Sequence, residues 1–216
     1  MHAPRRLSSF GSELVALARV PPRCAACDAP VRSRVAFCRA CASTVERFVP
    51  TDESVTTAFL YGGAIAWAIS RLKYERRPEI ARPLSDLLWG AIEPQRTFLS
   101  DVVIVPVPLH PFRLAERGFN QAALIACGIA RRLGAPLCAR ALTRTRETAP
   151  QAMLDRRMRA ANVSGAFVAQ NRFANRKVLL VDDVRTTGAT LRACEHAIRS
   201  AGALHVESAV VAQADG

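Results

Sequence analysis

Two adjacent carboxylates at the end of an apolar run constrain this chain more than any other feature. Residues 177–191 read K-V-L-L-V-D-D-V-R-T-T-G-A-T-L. Val178 to Val181 form a run of buried-strand character, and the chain then presents Asp182 and Asp183 at its C-terminal end, where ligands sit in open α/β sheets. Thr186, Thr187, Gly188, Ala189 and Thr190 follow as a loop entering a helix. Free N–H groups and the helix dipole there favour an anion, the hydroxyls add donors, and glycine lets the backbone come close. Acids beside an anion cradle repel a phosphate, so their natural partners are hydroxyls. The run therefore suggests a phosphorylated sugar, its phosphate on Thr186 to Thr190 and its vicinal diol on Asp182 and Asp183. A nucleoside-triphosphatase acidic pair is the competing reading, but the chain contains no G-x-x-x-x-G-K-[ST] run to support it.

The flanking pattern is that of an α/β domain. Val102 to Val107 reads as a buried strand stopped by Pro106 and Pro108, a helix spans about Asn120 to Leu133, and a short apolar segment runs from Pro136 to Leu142. A short strand at Ala166 to Val168, the strand Lys177 to Asp182, a helix from about Ala189 to Ala201 and a last strand from His205 to Ala212 complete it. This order predicts a mostly parallel sheet flanked by helices. Upstream, Ile65, Ile69 and Leu72 mark one helix, and Ile80, Leu84, Leu87 and Leu88 another over about 78–92. Thr143 to Asn162 is long, polar and rich in arginine, which suits a flap over a site.

Four cysteines, Cys24, Cys27, Cys38 and Cys41, are spaced C-x2-C-x10-C-x2-C. In a reducing compartment two such pairs suit one tetrahedral zinc ion, and a closed four-thiolate shell makes the site structural. The expected organisation is a helix over 1–20 carrying Leu7, Phe10, Leu14 and Leu17, a zinc ribbon over 21–50, and the sugar-phosphate domain over 51–216. The longest charge-free stretch, Ser54 to Ser70, is 17 residues and too short and polar to span a bilayer. Glu13 and Arg19 interrupt the one apolar segment near the start, so no secretory signal is expected and a cytoplasmic location is the default.

The acid pair and threonine loop resemble the phosphoribosyl pyrophosphate (PRPP) signature of type I phosphoribosyltransferases. Adding the cysteine ribbon, Leu72-Lys73-Tyr74, V-P-V-P-L-H at 105–110, E-R-G-F-N-Q at 116–121, and the spaced Arg146, Thr148, Gln151, Leu154, Arg159, Asn162, Gly165 and Phe167, the set resembles the ComF family of competence-associated bacterial proteins. The resemblance implies that Asp182 and Asp183 hold the ribose hydroxyls directly or through Mg²⁺. It implies that Thr186 to Thr190 hold the 5′-phosphate, and that Val107, His110, Arg113 and Arg117 lie on the pyrophosphate side. Arg146, Thr148 and Gln151 would belong to the flap.

It also implies an association with DNA uptake in natural transformation, and leaves open whether the chain transfers a phosphoribosyl group or binds a phosphoribosylated ligand. An alternative is a non-catalytic ligand sensor, or a competence factor holding single-stranded DNA or partner competence proteins. The net charge of +12 is compatible with either, since residues 101–170 alone carry 10 basic and 4 acidic side chains. Stacking aromatics there are limited to Phe112, Phe119 and Phe167.

Overall fold

A computed structural model describes residues 22–32, 35–49, 55–95, 99–145, 165–170 and 173–214. The chain order is α1 (Arg39–Ala42), β1 (Val55–Leu60), α2 (Gly63–Tyr74), α3 (Ala81–Ile92), β2 (Val102–Pro106), α4 (Pro111–Arg117), α5 (Gln121–Leu133), β3 (Leu142–Arg144), β4 (Phe167–Ala169), β5 (Lys177–Arg185), α6 (Ala189–Ser200) and β6 (His205–Gln213). The expected helix over 1–20 lies outside the described residues.

Four strands pair in the order β1-β6-β5-β2, all parallel. Both sheet faces are covered, which is why the central strands read as continuous apolar runs rather than alternating ones. Along β5, Leu179 and Val181 point into a core shared with α2, α3 and α5, while Val178 and Leu180 point into a second core with Leu191, Cys194 and Ile198 of α6. Strand β5 is therefore central in the sheet and in the layers, and its C-terminal end is the place where groups from both sides can converge.

Several elements differ from the sequence reading. The strand at 177–182 continues to Arg185, because β6 keeps pairing with it as far as Gln213. A strand stands at β1, inside the stretch judged only for membrane length; Val55, Thr56 and Thr57 supply its β-branched residues. The strand at 166–168 does not join the main sheet. It pairs antiparallel with β3 as a separate two-stranded sheet, so Thr143 and Arg144 are strand residues and not part of a flap. The rest of the expected flap, with Arg146, Thr148 and Gln151, lies outside the described residues. Residues 111–117, to which the sequence pattern assigns no element, form α4, for which Pro111 at its first position is well suited.

The cysteine segment is docked on the sheet domain. Cys24, Ala25, Phe37 and Cys41 share the core of Phe59, Ala64, Ile65 and Ala68. Residues 46–48 run antiparallel beside β1, with Phe48 N donating to Ala58 O at 3.2 Å and Leu60 N to Glu46 O at 3.0 Å. Asp28 receives Arg71 at 3.3 Å and Arg77 at 3.1 Å. At the start of α2, Ala64 N donates to Thr44 Oγ1 at 2.9 Å. Gly63 makes that seat: its φ is +45°, and a Cβ there would lie 2.4 Å from Thr44 O. Gly63→Ala should therefore lower stability by roughly 2 kcal/mol or more, from backbone strain together with the displaced contact. Urea unfolding checks this, with Gly62→Ala, which meets open space, as the milder control.

Candidate functional site

Alternation along β5 sends its two carboxylates to opposite faces of the sheet. Asp182 follows Leu180 toward α6, and Asp183 follows Val181 toward α2 and α5. Both are buried. Asp183 forms an ion pair with Lys73 Nζ from the last turn of α2 and accepts a hydrogen bond from Gln121 Nε2, the first residue of α5, at 3.0 Å. Burial alone would raise its pKa, but the Lys73 charge and the Lys73 and Gln121 hydrogen bonds hold the carboxyl below its ordinary range. Lys73 is raised in turn: Asp183, and more distantly Asp182, outweigh its own desolvation.

Asp182 has the opposite electrostatics. Burial and the neighbouring Asp183 charge push its carboxyl well above the usual value, against a smaller lowering by Lys73. One of its oxygens accepts the Asp183 N–H at 2.8 Å. A cavity of about 370 Å³ opens at this strand end, within the usual size of a small-ligand site. Asp182, Val184 and Arg185 line it, together with Thr186, Gly188, Ala189, Thr190 and Leu191 of the following segment and Lys73 and Tyr74 of α2, whereas Thr187 does not. Asp183 does not line it. The two acids thus have separate placements, one at the cavity and one beneath it.

The loop is built to hold a fixed shape. Gly188 caps α6 at φ +74°, and a Cβ there would meet Arg192 Nη1 at 2.9 Å. Arg192 reaches back to Thr187 O at 2.9 Å, and Ala189 N donates to Thr187 Oγ1 at 3.5 Å. Gln213, at the end of β6, donates to Thr186 O at 2.9 Å and accepts from Arg185 Nε. With Thr186 O and Thr187 O bound by side chains, the start of the twelve-residue α6 stands at the cavity, where Gly188, Ala189 and Thr190 are lining residues.

The turn after β2 brings its residues near but gives them local partners. Val107 N donates to Val181 O at 2.9 Å, and Asn120 Nδ2 donates to Val107 O at 2.9 Å. His110 caps α4, its Nδ1 accepting from Phe112 N at 3.3 Å. Arg113 pairs with Glu116 at 3.1 Å on the surface. Arg117 donates to Gln121 Oε1 and lies over the Tyr74 ring. None of these four lines the cavity.

Sequence reasoning missed Lys73, Gln121 and Gln213 as site residues. Lys73 did carry a signal: 28 of the 30 basic residues are arginine, and Lys73 is one of two lysines.

The second candidate centre is the cysteine cluster. The four Sγ atoms lie within 4.8 Å of one another, and Cys27 and Cys38 Sγ are 3.7 Å apart. Tetrahedral zinc with bonds of about 2.3 Å sets sulfur spacings near ~3.8 Å, so the donor set fits that ion. Burial pushes the Cys24 thiol up, but hydrogen bonds from the backbone of Cys27, Cys38 and Ala26 and from the Cys27 side chain outweigh it and bring it down to about 6. Cys41 is pushed up by burial and by its three cysteine neighbours. Four thiolates this close would repel one another, and a dication would balance their charge.

The phosphoribosyl transferase domain family matches residues 119–215, the span holding α5, β5, the threonine loop and β6. Competence protein F of Haemophilus influenzae is 30% identical over 200 residues, covering 85% of this chain and 87% of that protein. The DNA utilization protein YhgH of Escherichia coli K12 is 36% identical over 171 residues, 77% of this chain and 74% of that protein. Competence protein ComFC of Streptococcus pneumoniae is 27% identical over 150 residues, 69% and 64% respectively.

Lys73→Met should destabilise the fold by about 3–5 kcal/mol at neutral pH, because it leaves Asp183 buried and unpaired. Without Lys73 the folded-state pKa of Asp183 rises above its ordinary 3.8. The penalty then applies above that value and shrinks as pH falls toward it. Urea midpoints at pH 8 and pH 5 should show the gap to wild type narrowing at pH 5, and Lys73→Met/Asp183→Asn should recover part of the loss. At the cysteine cluster, elemental analysis should give about one zinc per chain, and Cys38→Ser should lower both metal content and melting temperature.

Proposed function

The chain belongs to the ComF family of phosphoribosyltransferase-like competence proteins, and from that premise we propose that it binds PRPP or another 5-phosphoribosyl ligand together with Mg²⁺ in the service of DNA uptake. The observation that carries this reading is the cavity where Asp182 at the end of β5 faces the Thr186–Thr190 loop entering α6. A ribose 5-phosphate spans such a site with its phosphate on the loop amides and hydroxyls and a ring hydroxyl on Asp182. The link to competence comes from the names of the relatives, competence protein F and DNA utilization protein.

The two acids divide the work. Asp182, whose raised pKa reflects burial beside Asp183, gains a hydrogen-bond donor when a ribose hydroxyl arrives. Asp183 stays with Lys73 and holds α2 and α5 in place. Mg²⁺ would be held by the Asp182 carboxylate and by ligand oxygens, and would supply positive charge to a departing pyrophosphate. Among the described residues, those on the cavity include no activated nucleophile, so transfer would rest on positioning and charge: the loop would fix the phosphate, and Lys73 adds a cation on the wall. Structural zinc on Cys24, Cys27, Cys38 and Cys41 would brace the segment against which α2 starts.

PRPP or ribose 5-phosphate with Mg²⁺ should raise the melting temperature, and Asp182→Asn should remove the shift while the protein stays folded. An unchanged shift in that variant would refute the assignment. Incubation with PRPP and a panel of bases, followed by assay of released pyrophosphate, separates transfer from binding.

A further inference from the structure

The four sulfurs of the cysteine cluster are unequally sheltered. Cys24 is 1% exposed and Cys41 5%, whereas Cys38 is half-buried and Cys27 is exposed. The two accessible residues belong to different C-x2-C turns, yet their Sγ atoms are 3.7 Å apart. Backbone geometry fixes that approach: Ala25 N donates to Ala36 O at 2.9 Å, and Cys27 and Cys38 each stand two residues beyond this bond. Cys38 is held further as the N-cap of α1.

A closed four-thiolate shell has no position for a substrate, but its sulfurs keep their electrons. Oxidation of cysteine follows thiolate character and exposure, and metal ligation keeps each sulfur a thiolate. Exposure then singles out Cys27 as the first sulfur an oxidant meets, with Cys38 at hand as the second.

We propose that Cys27 and Cys38 form a peroxide-sensitive pair whose oxidation to a disulfide discharges the zinc. This inference rests on the zinc reading of the cluster and is independent of any ligand at the cavity. The Cys27 thiolate attacks hydrogen peroxide and its O–O bond breaks; one oxygen goes to sulfur as a sulfenic acid and the other leaves as hydroxide. The Cys38 thiolate displaces the sulfenic oxygen as a second hydroxide, and an S–S bond of about 2.05 Å forms. Two electrons pass from sulfur to peroxide and two zinc–sulfur bonds break, which leaves Cys24 and Cys41 too few to fill a tetrahedral shell. A dithiol reductant and zinc reverse the step. Asp28 follows Cys27 directly and takes Arg71 at 3.3 Å and Arg77 at 3.1 Å. The chain drawn toward Cys38 therefore carries the anchor of the end of α2.

Zinc-loaded wild type treated with hydrogen peroxide tests it, with metal release followed by a chromogenic chelator and the products mapped by mass spectrometry. About one zinc per chain should be released and the intact mass should fall by two hydrogens, both reversed by dithiothreitol with zinc. Trypsin puts Cys24 and Cys27 in peptide 24–32, Cys38 in 35–39 and Cys41 in 40–47. The oxidised protein should link 24–32 to 35–39, with fragment ions placing the bond on Cys27. Cys27→His keeps a zinc ligand without an oxidisable sulfur, so it should release its metal at least about 10-fold more slowly. Melting temperatures check that this variant folds, and the wild-type map decides by itself if it does not. Any other pairing, oxidation of Cys127 or Cys138 while zinc stays bound, or release from folded Cys27→His as fast as from wild type overturns the pair while the zinc site stands. If the reduced protein holds no zinc, the zinc reading fails and the pair with it.

Discussion

The ion pair between Lys73 and Asp183 is the interaction on which the rest of the site depends. A carboxylate at this depth needs a charge partner and hydrogen-bond donors. Lys73 supplies the first and Gln121 contributes to the second. Meeting that need ties three elements together: the end of α2, the start of α5 and the end of β5. Everything around the cavity is placed relative to this junction. Asp182 is the next residue on β5, Tyr74 the next on α2, and Arg117 reaches in through Gln121.

The same junction links the cysteine ribbon to the ligand cavity without direct contact between them. Thr44 and Gly63 seat the beginning of α2 against the ribbon, and Arg71, one turn from its end, pairs with Asp28 and reaches Cys24 O and Ala25 O at 3.4 Å. A helix held at its start by one module and near its end by salt bridges to the same module has little freedom in where it places Lys73. Zinc in the cysteine cluster would therefore stabilise the frame that positions the acids, while taking no part in chemistry at the cavity.

Much of the fold was legible from pattern. The run at 177–191 announced a strand, two acids, a glycine-capped loop and a helix because each has a strong local cause: β-branched residues, a break in apolarity, and a glycine at positive φ. The cysteine spacing announced a cluster for the same reason. Less legible was β1, whose Val55-Thr-Thr start merged into a longer uncharged stretch, and β4, whose apolar residues serve a small separate sheet and look no different from main-sheet residues. His110 also read as a ligand-facing group, although its ring caps α4; a cap and a ligand contact make the same demand on one imidazole nitrogen.

The sequence by itself determined the ingredients: an acidic strand end, an anion-favouring loop, a four-thiol cluster and an arginine-rich surface with one unusual lysine beside a tyrosine. These are local properties, set by residue type and spacing over a few positions. Only the tertiary structure decided how they are shared out. Strand alternation sent Asp182 to the cavity and Asp183 to the opposite face, and packing of α2 across the sheet brought Lys73 from 110 positions away to meet it. Neighbours in sequence thus acquired different partners and opposite pKa shifts, since a charge in a protein interior answers to what is near it in space.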